Sequence, residues 1–325
     1  MLKSDVLSDV LRAVRLTGAV FFDFEMSSPW VAEAPPSREI AAKVMPGAQR
    51  VIEYHLIARG NCWGHAIGHE PERLLEGDLI VFPQGDAHVL SSAPGMRAQP
   101  HMEIYSRMST PLPVFYQVGG GGAERARVVC CFLGLDERPY NPLLTSLPSV
   151  IHLSAASPRS NAGWLGTMMT IAVKESGSAR PGGENVLARM SELMFVETIR
   201  QYIESLPPAQ TGWLAGLRDP VVGEALAALH SQPREPWTVE SLAHTVGLSR
   251  SVLAERFTEM VGHPPMHYLA LWRMQLASRL LVDGSHVAAV AQAVGYESEA
   301  AFSRAFKKFV GQAPATWRRT SRTTA

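Results

Sequence analysis

"AVGYESEAAFSRAFKKFVGQAPATW" occupies Ala293–Trp317, and "TVGLSRSVLAERFTEMVGHPPMHY" occupies Thr245–Tyr268. The two stretches are one pattern written twice. Ala243 and Ala291 lie 48 residues apart, as do Gly247 and Gly295. Phe257 and Phe306, Gly262 and Gly311, and Pro265 and Pro314 lie 49 apart, so one residue was added in the turn. Each copy predicts a helix, a tight glycine turn and a second helix. In the first copy Trp237 precedes Thr238, a good N-cap, and Leu242 at the fourth helical position can reach back to Trp237. Val239, Leu242, Ala243 and Val246 form an apolar face, and Gly247 permits the left-handed turn that ends the helix. Ser249 starts the second helix, with Val252, Leu253 and Phe257 expected inward. In the second copy Val287, Val290, Ala291 and Val294 lead to Gly295, and Ala301, Phe302 and Phe306 follow.

Between the copies runs "MHYLALWRMQLASRLLVDG". Met266 to Leu281, if helical, spans about 24 Å and is apolar around most of its circumference. It should pack against both copies and fix their separation. Two reading helices on such a rod could enter successive major grooves, about 34 Å apart on one face of a duplex.

Charge supports a polyanion partner at this end only. The whole chain balances 30 Lys+Arg against 30 Asp+Glu. Residues 236–325 hold ten Lys/Arg against six acids, a net of +4, which leaves −4 for the rest. In the second reading helix Glu299, Ala300, Ser303, Arg304 and Lys307 are the outward positions. Arg304 could pair with guanine O6/N7, and Lys307, Lys308, Arg318 and Arg319 with phosphates. In the first, Arg250, Ser251, Ala254 and Glu255 face out, and Glu255 could accept from cytosine N4 or pair with a neighbour.

Upstream, residues 19 to about 135 read as strands. "AVFFDF", "RVIEYHLIARG", "DLIVFP", "HMEIYS", "VFYQV" and "RVVCCFLGL" are short, β-branched or aromatic, and separated by Pro/Gly turns. Many short strands without intervening helices predict a sandwich or barrel. "ENVLARMSELMFVETIRQYIESL" (184–206) is helical in spacing, packed either on its own domain or on a second copy. The expected organisation is α+β: a β-barrel with flanking helices over 1–206, a linker and short helix over 207–235, and an all-α tandem unit over 236–325. Three cysteines, no secretory leader pattern and no long apolar run suggest a soluble protein of a reducing cytoplasm, without a membrane partner.

The segments "SLAHTVGLSRSVLAERF", "GHPPMHYLALWRMQLASRLL" and "VAAVAQAVGYESEAAFSRAFKKFVGQAPATWR" resemble the AraC family of bacterial transcription regulators over roughly residues 220–320. The resemblance implies two helix-turn-helix units, promoter binding, and activation or repression set by a second domain. Implied partners are double-stranded promoter DNA, a small-molecule effector, a second copy and RNA polymerase. Glu255 departs from the basic residue that many members carry there.

The N-terminal half resembles the cupin-like sensor domains attached to such regulators. "GDLIVFPQGDAHVL" carries the second cupin motif as Gly77, Pro83, Gly85 and His88. Glu53 and Gly60 keep the first motif's E-x6-G spacing, but "VMPGAQR" stands where His-x-His is expected. Strand alternation puts Glu53 and His55 on one face. With His88 they could form a small-ligand pocket, a reduced metal site, or a hydrogen-bonded core cluster. The reading taken is a ligand pocket with no metal or other cofactor. "CWGHAIGHE" (Cys62–Glu70) probes as a hairpin turn whose four possible ligands do not converge. Of Cys130 and Cys131, on opposite strand faces, one is expected buried and one exposed. Two competing readings are a metal-dependent cupin enzyme and a repressor that uses the barrel only to dimerise.

Overall fold

The computed structural model describes residues 5–14, 16–48, 50–106, 114–135, 140–156, eight positions between 164 and 178, 180–207 and 209–323. The chain forms two compact units. One comprises Leu16–Asp136 and Leu147–Ser205; the other gathers Met1–Arg15, Glu137–Ser146 and Leu206–Ala325.

The first unit is built on β1 (Leu16–Ser27), β2 (Val31–Ala34), β3 (Arg50–Arg59), β4 (Asn61–Ala66), β5 (Glu72–Leu75), β6 (Leu79–Phe82), β7 (His88–Ser91), β8 (Val114–Gly119), β9 (Arg125–Leu135) and β10 (Ile151–Leu153). A six-stranded sheet has the order β10-β6-β3-β9-β1-β8, and a four-stranded sheet the order β2-β7-β4-β5. Phe22, Met26, Ile57, Leu74, Phe82, Leu90 and Phe132 belong to one buried core cluster. Residues Val51–Ile57 of β3 are all buried, which explains why "VIEYHLI" lacks a clean two-residue alternation. Helix α2 (Ser37–Val44) packs on β3. Helix α4, Gly183–Ser205, packs on β1, β9 and β10.

One expected strand is absent. Residues 101–106 form turns, with Ile104–Ser106 as a single 3-10 turn. Met102 N donates to the Pro100 carbonyl and Ile104 N to that of His101, so the apolar side chains reach the core from a turn. Pro100 and a run of only six residues leave too little alternation to hold a strand.

The second unit is helical: α1 (Val6–Val14), α3 (Pro142–Ser146), α5 (Trp213–Gly216), α6 (Pro220–Ser231), α7 (Val239–Thr245), α8 (Arg250–Val261), α9 (Pro265–Val282), α10 (Val287–Ala293), α11 (Glu299–Val310) and α12 (Pro314–Thr323). Sequence reading placed residues 1–206 together; in the structure α1 and α3 group with the helices instead. Val6, Val10, Ala13 and Val14 form the buried stripe of α1. Its last-turn carbonyls are met by α9, where Arg279 Nη1 donates to Arg12 O at 3.0 Å and Gln275 Nε2 to Ala13 O at 3.5 Å. Segment 207–235, expected as linker and short helix, holds α5 and α6, the latter capped by Asp219 with Pro220 at the first helical position.

The rod α9 runs 18 residues, about 27 Å. Its Tyr268 hydroxyl receives Trp213 Nε1–H at 2.9 Å and donates to His230 Nε2 at 2.7 Å. His230 also stacks on Trp272 at 4.1 Å. Burial pushes the His230 imidazole down to about 3, so it stays neutral and serves as acceptor.

Candidate functional site

Two constellations carry chemistry, one in each unit. In the sheet unit, β3 places Glu53 and His55 two residues apart, hence on one face. Cys130 of β9 is the register partner of His55, so its thiol lies beside the imidazole. His88 opens β7 after the Pro83–Ala87 turn. That turn needs Gly85 at φ 66, where a Cβ would also sit 1.9 Å from Ser37 Oγ. The second cupin motif therefore reads as the punctuation that aims His88.

The polar atoms form a chain. His88 Nδ1 faces the Asp86 carbonyl at 3.0 Å and must carry the proton. His88 Nε2 is then an acceptor, facing His55 Nε2 at 2.7 Å, which donates. His55 Nδ1 in turn accepts from the Cys130 thiol at 2.7 Å. Phe82 stacks on His88 with ring centroids 3.8 Å apart. Burial lowers the His88 imidazole to about 4 and that of His55 well below its usual range, and it raises the Cys130 thiol. All three are neutral at pH 7.

Glu53 stands apart from this chain. It is fully buried, and neither carboxyl oxygen has a hydrogen-bond partner. His88 Nε2 lies 3.8 Å from Oε2, too far for a hydrogen bond. Burial pushes the carboxyl up to about 8, so the close pair carries no charge at pH 7. Donor atoms of Glu53, His55 and His88 fall within 4.8 Å of one another, near enough to bracket a divalent ion. As they stand, the two histidines are bonded to each other rather than opened toward an ion. The two imidazole nitrogens that would face an ion face each other across a shared proton.

Above this floor opens a cavity of about 230 Å³, lined by Phe22, Phe24, Met26, Leu90, Ile104, Tyr105, Val118 and Phe132 among others. The aromatic walls and Cys130 were not singled out as lining residues from sequence. Their signal is there, since Phe22, Phe24 and Met26, like Cys130 and Phe132, alternate along β1 and β9. Cys130 and Cys131 are both buried, correcting the expected exposed one, because Cys130 faces the barrel core and helix α4 covers the other face of the sheet. Cys62 and His65 lie on β4, and no metal-holding group includes them among the described residues.

In the helical unit both copies end their first helix identically. Leu248 N donates to Ala243 O and Gly247 N to His244 O; Tyr296 N donates to Ala291 O and Gly295 N to Gln292 O. These are the paired bonds of a Schellman turn, which requires the left-handed glycine. Ser249 and Ser298 cap α8 and α11, the second helix of each copy. Both helices end on left-handed glycines, Gly262 and Gly311.

On α11, Glu299, Ala300, Arg304, Lys307 and Lys308 are exposed and Ser303 is half-buried. On α8, Arg250, Ser251 and Glu255 are exposed, and Arg250 Nη1 pairs with Glu240 at 2.9 Å. Val252 is 47% exposed, against the inward position expected for it. The buried stripe of α8 is Leu253, Phe257 and Val261, and Val252 lies one helical step off it. Arg319 is exposed, whereas Arg318 is half-buried and donates to Ser285 O at 3.4 Å. No helix among the described residues is long and apolar enough to cross a membrane.

Known proteins match in two consecutive stretches of the sequence, the first of which also takes in α1 and α3. The family described as Cupin matches residues 5–204, and that described as Helix-turn-helix domain matches residues 242–320. A putative AraC-like transcription regulator of Streptomyces lividans is 34% identical over 276 residues, covering 84% of this chain and 88% of its own. The HTH-type transcriptional regulator AlkR of Acinetobacter baylyi is 30% identical over 275 residues, covering 84% and 90%. Among solved structures, the DNA-binding domain of AdpA in complex with a target DNA is 31% identical, covering 32% of this chain and 95% of that one, with a TM-score of 0.31.

Proposed function

We propose, from the premise that the chain belongs to the AraC-like family of transcription regulators, that its two reading helices grip one face of a promoter while an effector in the barrel sets how tightly. The protein is a DNA-binding transcription regulator rather than an enzyme. The observation that carries the reading is the pair of identically terminated helix-turn-helix units, the second of which exposes Arg304, Lys307 and Lys308.

Arg304 reads a guanine through O6 and N7, and Lys307, Lys308 and Arg319 meet phosphates. Arg318 is held back by its bond to Ser285, and Arg250 must leave Glu240 to reach the duplex. Ser251 and Glu255 complete the first reading surface, with Glu299, Ala300 and Ser303 beside Arg304 on the second. An effector bound above Glu53, His55 and His88 favours one way of holding the helical unit over another. Coupling of this kind is worth about 1–3 kcal/mol in promoter affinity. Two copies pair through the outer face of α4, where Val186 and Leu193 are exposed seven residues apart. The protein acts in the cytoplasm, where the promoter and RNA polymerase are.

Selection of genomic fragments by the purified full-length protein, followed by sequencing and footprinting, tests this. A recurrent site protected on one face over two adjacent major grooves is expected. Retention of no fragment above random competitor at moderate salt would overturn the reading.

A further inference from the structure

We infer that the barrel takes an uncharged aromatic molecule, one ring with a short arm, whose single polar group both gives and accepts a hydrogen bond at Glu53. The inference rests on the reading above that the barrel holds an effector, and it names that effector's chemistry.

Size comes first. An apolar cavity of about 150 Å³ holds a benzene molecule. The 230 Å³ here admits that ring and a few further atoms. Phe22, Phe24, Tyr105 and Phe132 supply aromatic walls suited to a ring's face and edge.

Polarity comes second. The two histidines have spent their capacity on each other, on Cys130 and on the Asp86 carbonyl. Glu33, at the wall, is committed to Arg97 through two bonds of 2.8 and 2.7 Å. Among the described lining residues, only Glu53 is a buried carboxyl with both oxygens unspent. A neutral carboxyl offers one donor and one acceptor, and so matches an alcohol, a phenol or a primary amide. Burial keeps Glu53 in that form at pH 7. A sugar would leave most of its hydroxyls unpaired against these walls. No Lys or Arg is among the described lining residues, so an anion would enter without a counter-charge.

Isothermal titration of the full-length protein at pH 7 with benzyl alcohol, benzamide, toluene, benzoate and benzylamine tests this. Benzyl alcohol and benzamide should bind about ten-fold tighter than toluene, the worth of one well-made hydrogen bond. Benzoate should show no measurable heat. Glu53→Leu should bring benzyl alcohol down to the level of toluene while toluene still binds. Glu53→Gln, whose amide also gives and accepts, should keep the ten-fold preference. Thermal unfolding of each variant reports that it has folded. Tightest binding by benzoate or benzylamine, a preference that survives Glu53→Leu, or a stoichiometric divalent metal in the purified protein would each overturn the assignment. Val118→Trp, which fills the cavity, separates the two levels. If a charged probe binds and Val118→Trp abolishes it, the chemistry named here fails but a barrel effector stands. If no probe of any class binds, both fall.

Discussion

The two helix-turn-helix units share a backbone and differ in what they show to the outside. Both carry the same Schellman bonds, the same serine caps and the same buried phenylalanine at Phe257 and Phe306. At matched positions on the reading helices, however, Glu255, Thr258 and Glu259 face Arg304, Lys307 and Lys308. What a helix needs in order to start, stop and pack has survived duplication. What meets the partner has not, because no folding constraint holds an exposed position. On the proposed reading the second unit would supply the attractive field and the first would refine it. The match is also incomplete inside. A Cβ at Gly295 would lie 2.6 Å from the Arg234 carbonyl, whereas one at Gly247 would meet open space.

Replacing the matched phenylalanines should give the largest effect and the most equal one. Phe257→Ala and Phe306→Ala should each cost about 3–5 kcal/mol in denaturant unfolding followed by helical signal. A difference between them beyond roughly 2 kcal/mol would break the claim of matched cores. The glycines should then separate the units. Gly247→Ala should cost about 1–2 kcal/mol for the left-handed backbone alone. Gly295→Ala should cost a further ~1–3 kcal/mol because Arg234 cannot withdraw its main-chain oxygen freely. Equal melting losses would show that the Arg234 contact is slack.

The exposed positions should respond in binding rather than in stability. Arg304→Ala should lose about 1–3 kcal/mol on the specific site and relax preference at one base pair. Glu255→Ala should lose far less, since a carboxylate beside phosphates offers little to forfeit. A Glu255→Ala loss as large as that of Arg304→Ala in gel-shift titrations would show two equal reading heads. Smallest and most uniform should be Lys308→Ala, which should weaken every sequence alike and lower the salt slope by about one. A sequence-dependent Lys308→Ala effect would move that residue from phosphate to base.

The helical unit was legible because its signals are local. Cap residues, glycine turns and apolar spacing over a dozen positions already state the helices, and repetition at a fixed offset removes ambiguity. Val252 shows the limit, since an apolar side chain next to Leu253 passes for core until the stripe's third member, Val261, is located. In the sheet unit the second cupin motif was readable for a similar reason, with Gly85 marking a turn that admits little else. The four-stranded sheet was harder. β2, β5 and β7 are four residues long, and the β2–β7 pairing joins distant positions, such as Val31 with Ser91 and Ala34 with His88. Likewise the Cys130–His55 bond depends on register between β3 and β9, which no single stretch encodes.

The bond from Arg279 to the end of α1 has a practical consequence. The helical unit is not a contiguous length of gene. Cutting at residue 207 to obtain a stand-alone DNA-binding fragment would discard α1 and α3 and strip Gln275 and Arg279 of the carbonyls they serve. A shortened fragment that precipitates or binds weakly would thus report missing helices from the front of the chain, and a coexpressed Met1–Arg15 peptide is the remedy to try first.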